Sequence, residues 1–181
     1  MKKMNEIEKY FKARIQEIKS LAVRGDVWVF ICCAVFLEYL AKLVYGEDKK
    51  AKGYKNFIKN YLSVIDVRYN NFSFSKLNCD GLKKNLPDQM YHILRCGIVH
   101  SFSLYPDKIS KNNGGAKQSI VLGHEINGDR HLTPYIKNNF DSVIFTAEGF
   151  SSDIEKLVDK IFTDAKTYTE LAKRILKWYS E

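Results

Sequence analysis

At 181 residues, with 45% apolar and 28% charged side chains, the chain has the length and composition of one soluble globular domain. These values exclude a disordered chain, and they allow a core that needs no disulfide or metal ion. The formal net charge of +8 favours polyanionic partners such as RNA, DNA or an acidic protein. A lysine-rich solvated surface explains the same charge equally well.

Cysteine usage and the start of the chain indicate an intracellular protein. Four cysteines stand without a C-x-x-C pair, so we expect neither a zinc site nor a disulfide framework, and a reducing cytoplasm fits best. The first six residues turn polar and acidic where a signal peptide needs an apolar stretch, so we expect no export signal. The longest apolar run, 27–37, is too short to span a bilayer. We therefore expect a cytoplasmic protein without membrane association, metal or cofactor.

The first half of the chain predicts three helices. Apolar residues three and four apart predict a helix over 4–22. Asp26 is a candidate N-cap for a second helix that runs to about Tyr45 and ends at Gly46. This helix is apolar nearly all round, which predicts that it lies at the centre of a bundle. Helical spacing returns over 54–65 and predicts the third helix.

A fourth helix and a small β element follow. Pro87 suits the first turn of a helix that runs through His100. Two β-prone runs, 119–123 and 142–146, come after strong turn signals. We therefore expect a small antiparallel sheet or long hairpin inserted at about 102–148 between helices.

The last part of the chain keeps the 3.6-residue apolar period almost to its end, which predicts a fifth helix capped by Ser151 or Ser152. The expected architecture is a single, mainly α domain over 1–181. It has about five helices in a bundle and one small antiparallel β insertion.

Two side chains on the fourth helix, Arg95 and His100, are suited to RNA cleavage. Attack by the 2'-hydroxyl needs a base, an acid for the leaving 5'-oxygen and positive charge at the phosphate, and no metal is obligatory. Histidine can exchange a proton near neutrality, and arginine keeps its charge and matches two phosphate oxygens. These residue types therefore suffice for the reaction.

The spacing of Arg95 and His100 favours a dimer. On a regular α-helix residues five apart are separated by about 7.5 Å along the axis and roughly 140° around it, so one helix does not bring them together. A two-fold dimer that sets this helix against its copy would bring both pairs to a shared cleft. Gly97 lies between them and would let a second backbone or a phosphate come close.

The segment R-C-G-I-V-H over 95–100, near the end of a late helix, resembles the ribonuclease motif of the HEPN superfamily (higher eukaryotes and prokaryotes nucleotide-binding). The resemblance implies a helical bundle and a metal-independent endoribonuclease that leaves a 2',3'-cyclic phosphate and a 5'-hydroxyl. It also implies a homodimer, with RNA as substrate and an antitoxin or anti-phage defence protein as a further partner. By this resemblance Arg95 stabilises phosphate charge and His100 acts as acid or base.

Two local features bear on this interpretation. Many active members of the superfamily place a polar residue directly after the arginine, where this chain has Cys96. That difference motivates an alternative, a non-catalytic HEPN module that binds RNA, nucleotide or a protein partner. Glu38 and Lys42, four residues apart on the second helix, resemble an acidic-basic pair of some branches and are candidate supporting residues.

Structural explanations stay open beside these. Arg95 could form an ion pair within the bundle while His100 ends a helix, and the motif would then be accidental. His92, three residues before Arg95, could assist phosphate binding or be structural. His124 and His131 match no metal-ligand spacing, and we expect both at the surface.

Five lysines around the start of the third helix form either a strip for the RNA backbone or a solvated helix face. The aromatic residues between them, Tyr54 and Phe57, fit the core stripe and need no stacking role. The five lysines are Lys49, Lys50, Lys52, Lys55 and Lys59.

Overall fold

A computed structural model describes residues 2–24, 26–46, 50–74, 85–98, 120–137 and 140–180. Within them the protein is a mainly α-helical bundle with a small three-stranded sheet, which confirms the predicted fold class. The α-helices are α1 (Lys2–Val23), α2 (Trp28–Tyr45), α3 (Lys50–Phe57), α4 (Ser63–Ile65), α5 (Arg68–Asn71), α6 (Leu86–Gln89), α7 (Ala147–Thr167) and α8 (Thr169–Trp178). The π-helices are π1 (Ile58–Leu62) and π2 (Met90–Ile98), and the strands are β1 (Ile120–Gly123), β2 (Thr133–Lys137) and β3 (Phe140–Thr146).

Helix α2 is the central helix, as its composition predicts, and it packs against α1, α3, α7, α8 and π2. The Asp26 carboxylate accepts the N–H of Trp28 at 2.9 Å and caps its start. Gly46 ends it with a φ of +84°, a backbone conformation that favours glycine, and its N–H donates to the Lys42 carbonyl at 2.7 Å. The predicted end at Gly46 is confirmed, whereas at the start Val27 stands directly before Trp28 and Asp26 supplies the hydrogen bond from one position earlier.

The length of α2 exceeds the apolar run that marks it in the sequence. Its 18 residues have a mean hydropathy of 1.8, so by length and composition α2 is a candidate membrane span. The core helices of soluble proteins pass the same test, and half of α2 is buried inside the bundle. Beyond the apolar run the helix keeps a buried face of Leu40, Ala41, Leu43 and Val44, while Glu38 pairs with Lys42 and with Arg95 of π2.

The third and fourth helices predicted from the sequence each begin with α geometry and continue with π geometry. Helix α3 begins at Lys50, earlier than predicted, and continues directly into π1. Helix α6 begins after Asn85, whose side chain accepts the N–H of Asp88 at 3.0 Å, and continues into π2. Pro87 lies in its first turn, as predicted. In a π-helix hydrogen bonds join residues five apart, so the α-helical estimate of 140° does not apply within π2.

The sheet is mixed rather than antiparallel, which corrects the prediction. Its strand order is β1-β3-β2, with β2 antiparallel and β1 parallel to β3. The chain reverses after β1 and again after β2, so β1 and β3 run in the same direction. Strand β3 takes the central position, where Val143 and Phe145 are fully buried.

The long C-terminal helix begins at Ala147, directly after β3, and the predicted caps Ser151 and Ser152 lie inside it. Thr146 is the observed cap, because its hydroxyl oxygen accepts the N–H of Gly149 at 3.2 Å. The predicted fifth helix is two helices, since α7 ends at Thr167 and α8 follows after a break at Tyr168. Apolar side chains from the helices, from β1 and β3, and from Leu132 just before β2 form one core.

Candidate active site

Arg95 on π2 contacts Glu38 of α2, and Glu38 also pairs with Lys42, the other candidate supporting residue. Its Nη2 donates to Oε1 of Glu38 at 2.9 Å, and Nζ of Lys42 lies 3.4 Å from the same oxygen. The sequence predicts the Glu38 and Lys42 pair from its spacing on one helix, whereas the contact with Arg95 joins residues 57 positions apart. One carboxylate oxygen therefore lies between two cations.

The charges of this cluster stabilise one another. Partial burial raises the pKa of Glu38, but the hydrogen bond and charge of Arg95 and the charge of Lys42 outweigh it and hold the pKa below its ordinary value. Burial lowers the pKa of Arg95, but the hydrogen bonds to Glu38 and Cys96 and the charge of Glu38 together outweigh burial and raise the pKa above its ordinary value. Glu38 and Arg95 are thus charged at neutral pH, and the Glu38 carboxylate faces the guanidinium of Arg95 and the ammonium of Lys42.

The cluster lines an open pocket of about 370 Å³ between α2, α3 and π2. This volume falls in the range of small-ligand pockets. The lining residues are Glu38, Ala41, Lys42, Gly46, Gly53, Tyr54, Tyr91 and Arg95.

Two tyrosines line the pocket although the sequence did not predict either of them as a site residue. The Tyr91 ring has the guanidinium carbon of Arg95 at 5.7 Å from its centre and Nζ of Lys55 at 5.5 Å. Tyr54 packs edge to face against Tyr91, with ring centres 5.7 Å apart. Helical spacing marks Tyr54 as a core residue and gives no sign of its polar surroundings.

The Tyr54 hydroxyl is fully buried and has no hydrogen-bond partner within the described residues. Burial raises the pKa of Tyr54, and the charge of Glu38 raises it further. A buried hydroxyl without a partner costs about 1–3 kcal/mol, so such groups are rare in folded proteins. Here the group stands at the wall of a charged pocket.

The other candidate site residues on this helix are Cys96, Gly97, His92 and His100, and the structure describes the first three. Sγ of Cys96 is 4.0 Å from Nη1 of Arg95, and Gly97 is buried. The His92 ring lies edge to face with Tyr91, 5.3 Å between centres, and is absent from the pocket lining. His100, the predicted acid or base, lies outside the described residues.

The predicted lysine strip is partly engaged inside the protein. Nζ of Lys55 pairs with Asp88 at 2.6 Å, so this lysine does not extend freely into solvent. Lys52 and Lys59 are exposed. Lys49 lies outside the described residues, as does the side chain of Lys50.

The His131 side chain is 8% exposed and lies in a hydrogen-bonded network, contrary to the expected surface position. The Thr146 N–H donates to its Nδ1 at 3.0 Å, which places the ring hydrogen on Nε2. Nε2 lies 2.9 Å from the Tyr69 hydroxyl, which donates to Oδ2 of Asp153 at 3.1 Å. Lys156 pairs with the same carboxylate at 3.0 Å. The sequence does not reveal this network because its members come from four separate segments.

His124 also lies off the surface, since its side chain is 15% exposed and its Nδ1 is 3.5 Å from the Glu148 carboxylate. In the part of the chain that the structure describes, no group of three His, Cys, Asp or Glu side chains is placed to hold a metal ion.

No protein-family model, no curated protein and no solved structure matches this chain. The relation to the HEPN superfamily is therefore a resemblance in motif.

Proposed function

We propose that the protein is a metal-independent endoribonuclease of HEPN type, acting in the cytoplasm in a toxin–antitoxin or anti-phage defence system. Its composite site would contain Arg95 and His100 at the interface of a homodimer. The observation that carries the proposal is the pairing of both Arg95 and Lys42 with the Glu38 carboxylate at the open pocket. Two sequence features singled out separately thus belong to one cationic site.

In the proposed reaction the RNA 2'-hydroxyl attacks the adjacent phosphorus while the bond to the 5'-oxygen breaks. A 2',3'-cyclic phosphate and a 5'-hydroxyl are formed. His100 of one copy takes the proton from the 2'-hydroxyl, and the partner subunit's His100 gives one to the 5'-oxygen, so the protons balance. Glu38 holds Arg95 through Nη2. The other donors of this planar group bind the phosphate oxygens as negative charge develops.

Cleavage of single-stranded RNA in excess EDTA, followed by analysis of the product ends, tests the proposal. We expect Arg95→Ala and His100→Ala each to reduce the rate by about 10²–10³-fold, the usual effect of losing a transition-state donor or a general acid or base. Arg130→Ala is the matched control, because Arg130 is exposed and is not part of the pocket lining. Equal cleavage by all three variants would identify a contaminating nuclease and refute the proposal.

The second candidate function is a non-catalytic HEPN module that binds RNA, nucleotide or a protein partner. The ion pair of Arg95 with Glu38 favours it, because the carboxylate already neutralises part of the charge that a transition state would need. Cys96 after the arginine favours it as well. RNA binding or a stable copurifying partner, with no cleavage by the free protein, would support this function over the first.

A further inference from the structure

We propose that the turn formed by His131 and Leu132, directly before β2, is a proton-sensitive latch. Protonation of the His131 ring at Nδ1 releases the junction of β3 and α7 from this turn. In the neutral ring Nδ1 accepts the N–H of Thr146, the residue that caps α7, at 3.0 Å. The latch lies in the β region, away from the lining of the Arg95 pocket, and does not depend on the ribonuclease function.

The hydrogen bond from Thr146 forms only while Nδ1 of His131 carries no proton. In an imidazolium both ring nitrogens carry a hydrogen, so protonation would set two donors against each other where a donor now meets an acceptor. Histidine is the side chain that exchanges a proton close to neutrality. Mild acidification therefore removes this bond without affecting other backbone hydrogen bonds directly.

The protonated ring would still be held at its other nitrogen. Nε2 of His131 lies 2.9 Å from the Tyr69 hydroxyl and 3.4 Å from Oδ2 of Asp153. Although burial raises the pKa of Asp153, its contacts with His131 and Lys156 hold that pKa below the ordinary value, so the group stays a carboxylate under mild acidification. The imidazolium keeps its contact with the middle of α7 while it loses the start of the helix.

The charges around the ring compensate a proton on it. They come from α5 and the residue two positions before it, from α7, and from the segment after β1, which reaches the Thr146 hydroxyl. The charged groups are Asp66, Arg68, Asp153, Lys156 and Glu125. Three carboxylates and two cations leave one negative charge, so a protonated ring brings the sum to zero. The network can therefore hold a charged histidine without an uncompensated charge.

Leu132 adds backbone strain to the turn. Its φ is +52°, and among the described residues it is the only one other than glycine with a positive φ. The turn is held in this conformation by the N–H of Leu132, which donates to the Ile144 carbonyl at 2.8 Å, and by Nη1 of Arg68, which donates to the His131 carbonyl at 3.1 Å. The Thr146 bond to the ring is a third restraint, and its loss leaves the strained turn free to relax.

Hydrogen exchange of the full chain, followed by NMR at about pH 7.5 and about pH 5.5, tests the proposal. Each amide is compared with its rate in an unstructured chain, so the effect of pH on the exchange chemistry cancels. We expect the protection of the Thr146 and Leu132 amides to fall at least about tenfold on acidification, while that of Leu40 in the central helix changes less than about twofold. The nitrogen shifts of the His131 ring report its protonation in the same samples.

Two histidine variants sharpen the test. His131→Asn should abolish the pH response, because the asparagine carbonyl oxygen can accept the Thr146 N–H at both pH values and does not titrate. His124→Asn is the matched control. The His124 side chain is also mostly buried in the β region and lies 3.5 Å from Glu148 at the start of α7, but it makes no contact with the Thr146 N–H. This variant should respond as the wild type does.

The proposal is overturned if the His131 ring stays neutral at the lower pH, or if it gains a proton while the Thr146 amide keeps its protection. A parallel loss at Leu40 would mean global unfolding, and a loss at Thr146 without Leu132 would mean that the strained turn is not released; either result overturns the latch. If His131→Asn does not fold, the wild-type chain decides, because the loss of protection must follow the protonated fraction of the ring. RNA cleavage is untouched by any of these results.

Discussion

The hydrogen-bonded network around His131 and the pocket at Arg95 each contain a buried tyrosine hydroxyl. The two hydroxyls differ in whether they have a hydrogen-bond partner. In the network the Tyr69 hydroxyl donates to Asp153 and lies 2.9 Å from Nε2 of His131. In the pocket the Tyr54 hydroxyl has no partner within the described residues. A fold needs buried polar groups to be satisfied, whereas a ligand site can leave a group for the ligand to satisfy.

The exposure of the charged groups follows the same division. The side chains of His131 and Asp153 are each 8% exposed, while those of Arg95 and Lys42 are 27% and 42% exposed. The network therefore joins sheet and helices inside the protein, and the pocket presents its cations to solvent. Substitutions in the network should change stability, and substitutions in the pocket should change binding.

Gly149→Ala is expected to have the largest effect on stability. A Cβ there would lie 2.4 Å from Cβ and Cγ of His131 and 2.7 Å from the Thr146 hydroxyl oxygen, so the imidazole must move and its hydrogen bonds with it. We expect a loss of about 3 kcal/mol in the free energy of unfolding, measured by urea denaturation. Ser152→Ala, on the same helix, is the control and should change it by less than about 0.5 kcal/mol. If Gly149→Ala were as stable as the control, the His131 ring could be displaced without loss of stability, and the prediction would be wrong.

Tyr69→Phe should cost about 2 kcal/mol, because it keeps the ring but leaves Nε2 of His131 and the Asp153 carboxylate each without one partner. Urea denaturation of the purified variant measures the change. RNA cleavage per folded molecule should stay at the wild-type rate, since Tyr69 is absent from the pocket lining. A stability equal to wild type would mean that this hydroxyl is as dispensable as an unpartnered one.

Asp153→Asn should change the acid dependence of stability. Burial raises the pKa of Asp153, but its contacts with His131 and Lys156 outweigh burial and hold the pKa below the ordinary value of 3.8. A depressed pKa contributes stability above pH 3.8, and this contribution is lost as the pH falls through the folded-state pKa. We expect Asp153→Asn to lower stability by about 1 kcal/mol at pH 7.

The difference between wild type and Asp153→Asn should shrink as the pH falls from about 5 through 3.8 to the lower folded-state pKa, because the unfolded chain binds the proton first and the folded carboxylate binds it last. Urea denaturation across this range measures it. A difference that stays constant with pH would show that the ionised form of Asp153 does not stabilise the fold.

Local patterns in the sequence predict the helices of this fold well and its long-range contacts poorly. The caps of α2 follow from Asp26 and Gly46, and the two β-prone runs become β1 and β3. The parallel pairing of these strands depends on where β2 lies, which no local pattern records. The π geometry of π2 is also invisible to apolar periodicity, because an α-helical period fits the same residues.

In the candidate site, too, local sequence patterns identify the residues but not the long-range contacts between them. Sequence spacing identifies Glu38 with Lys42, and a motif resemblance identifies Arg95, but only the packing of α2 against π2 joins them. Tyr54 was predicted as a core residue, which is correct for its ring. That its hydroxyl is buried without a described hydrogen-bond partner can be seen only from the structure.

Tyr54→Phe should have the smallest effect on stability and so gives the sharpest comparison with Tyr69→Phe. Both changes remove one buried hydroxyl from a packed ring, but the Tyr54 hydroxyl has no described partner to lose. We expect a change between zero and about 1 kcal/mol in favour of the variant, because removal of an unsatisfied buried group relieves its desolvation cost. Urea denaturation of both variants under one condition measures the contrast. If Tyr54→Phe were destabilised as much as Tyr69→Phe, its hydroxyl would have a partner in the folded protein, and the pocket would not hold an unused donor for a ligand.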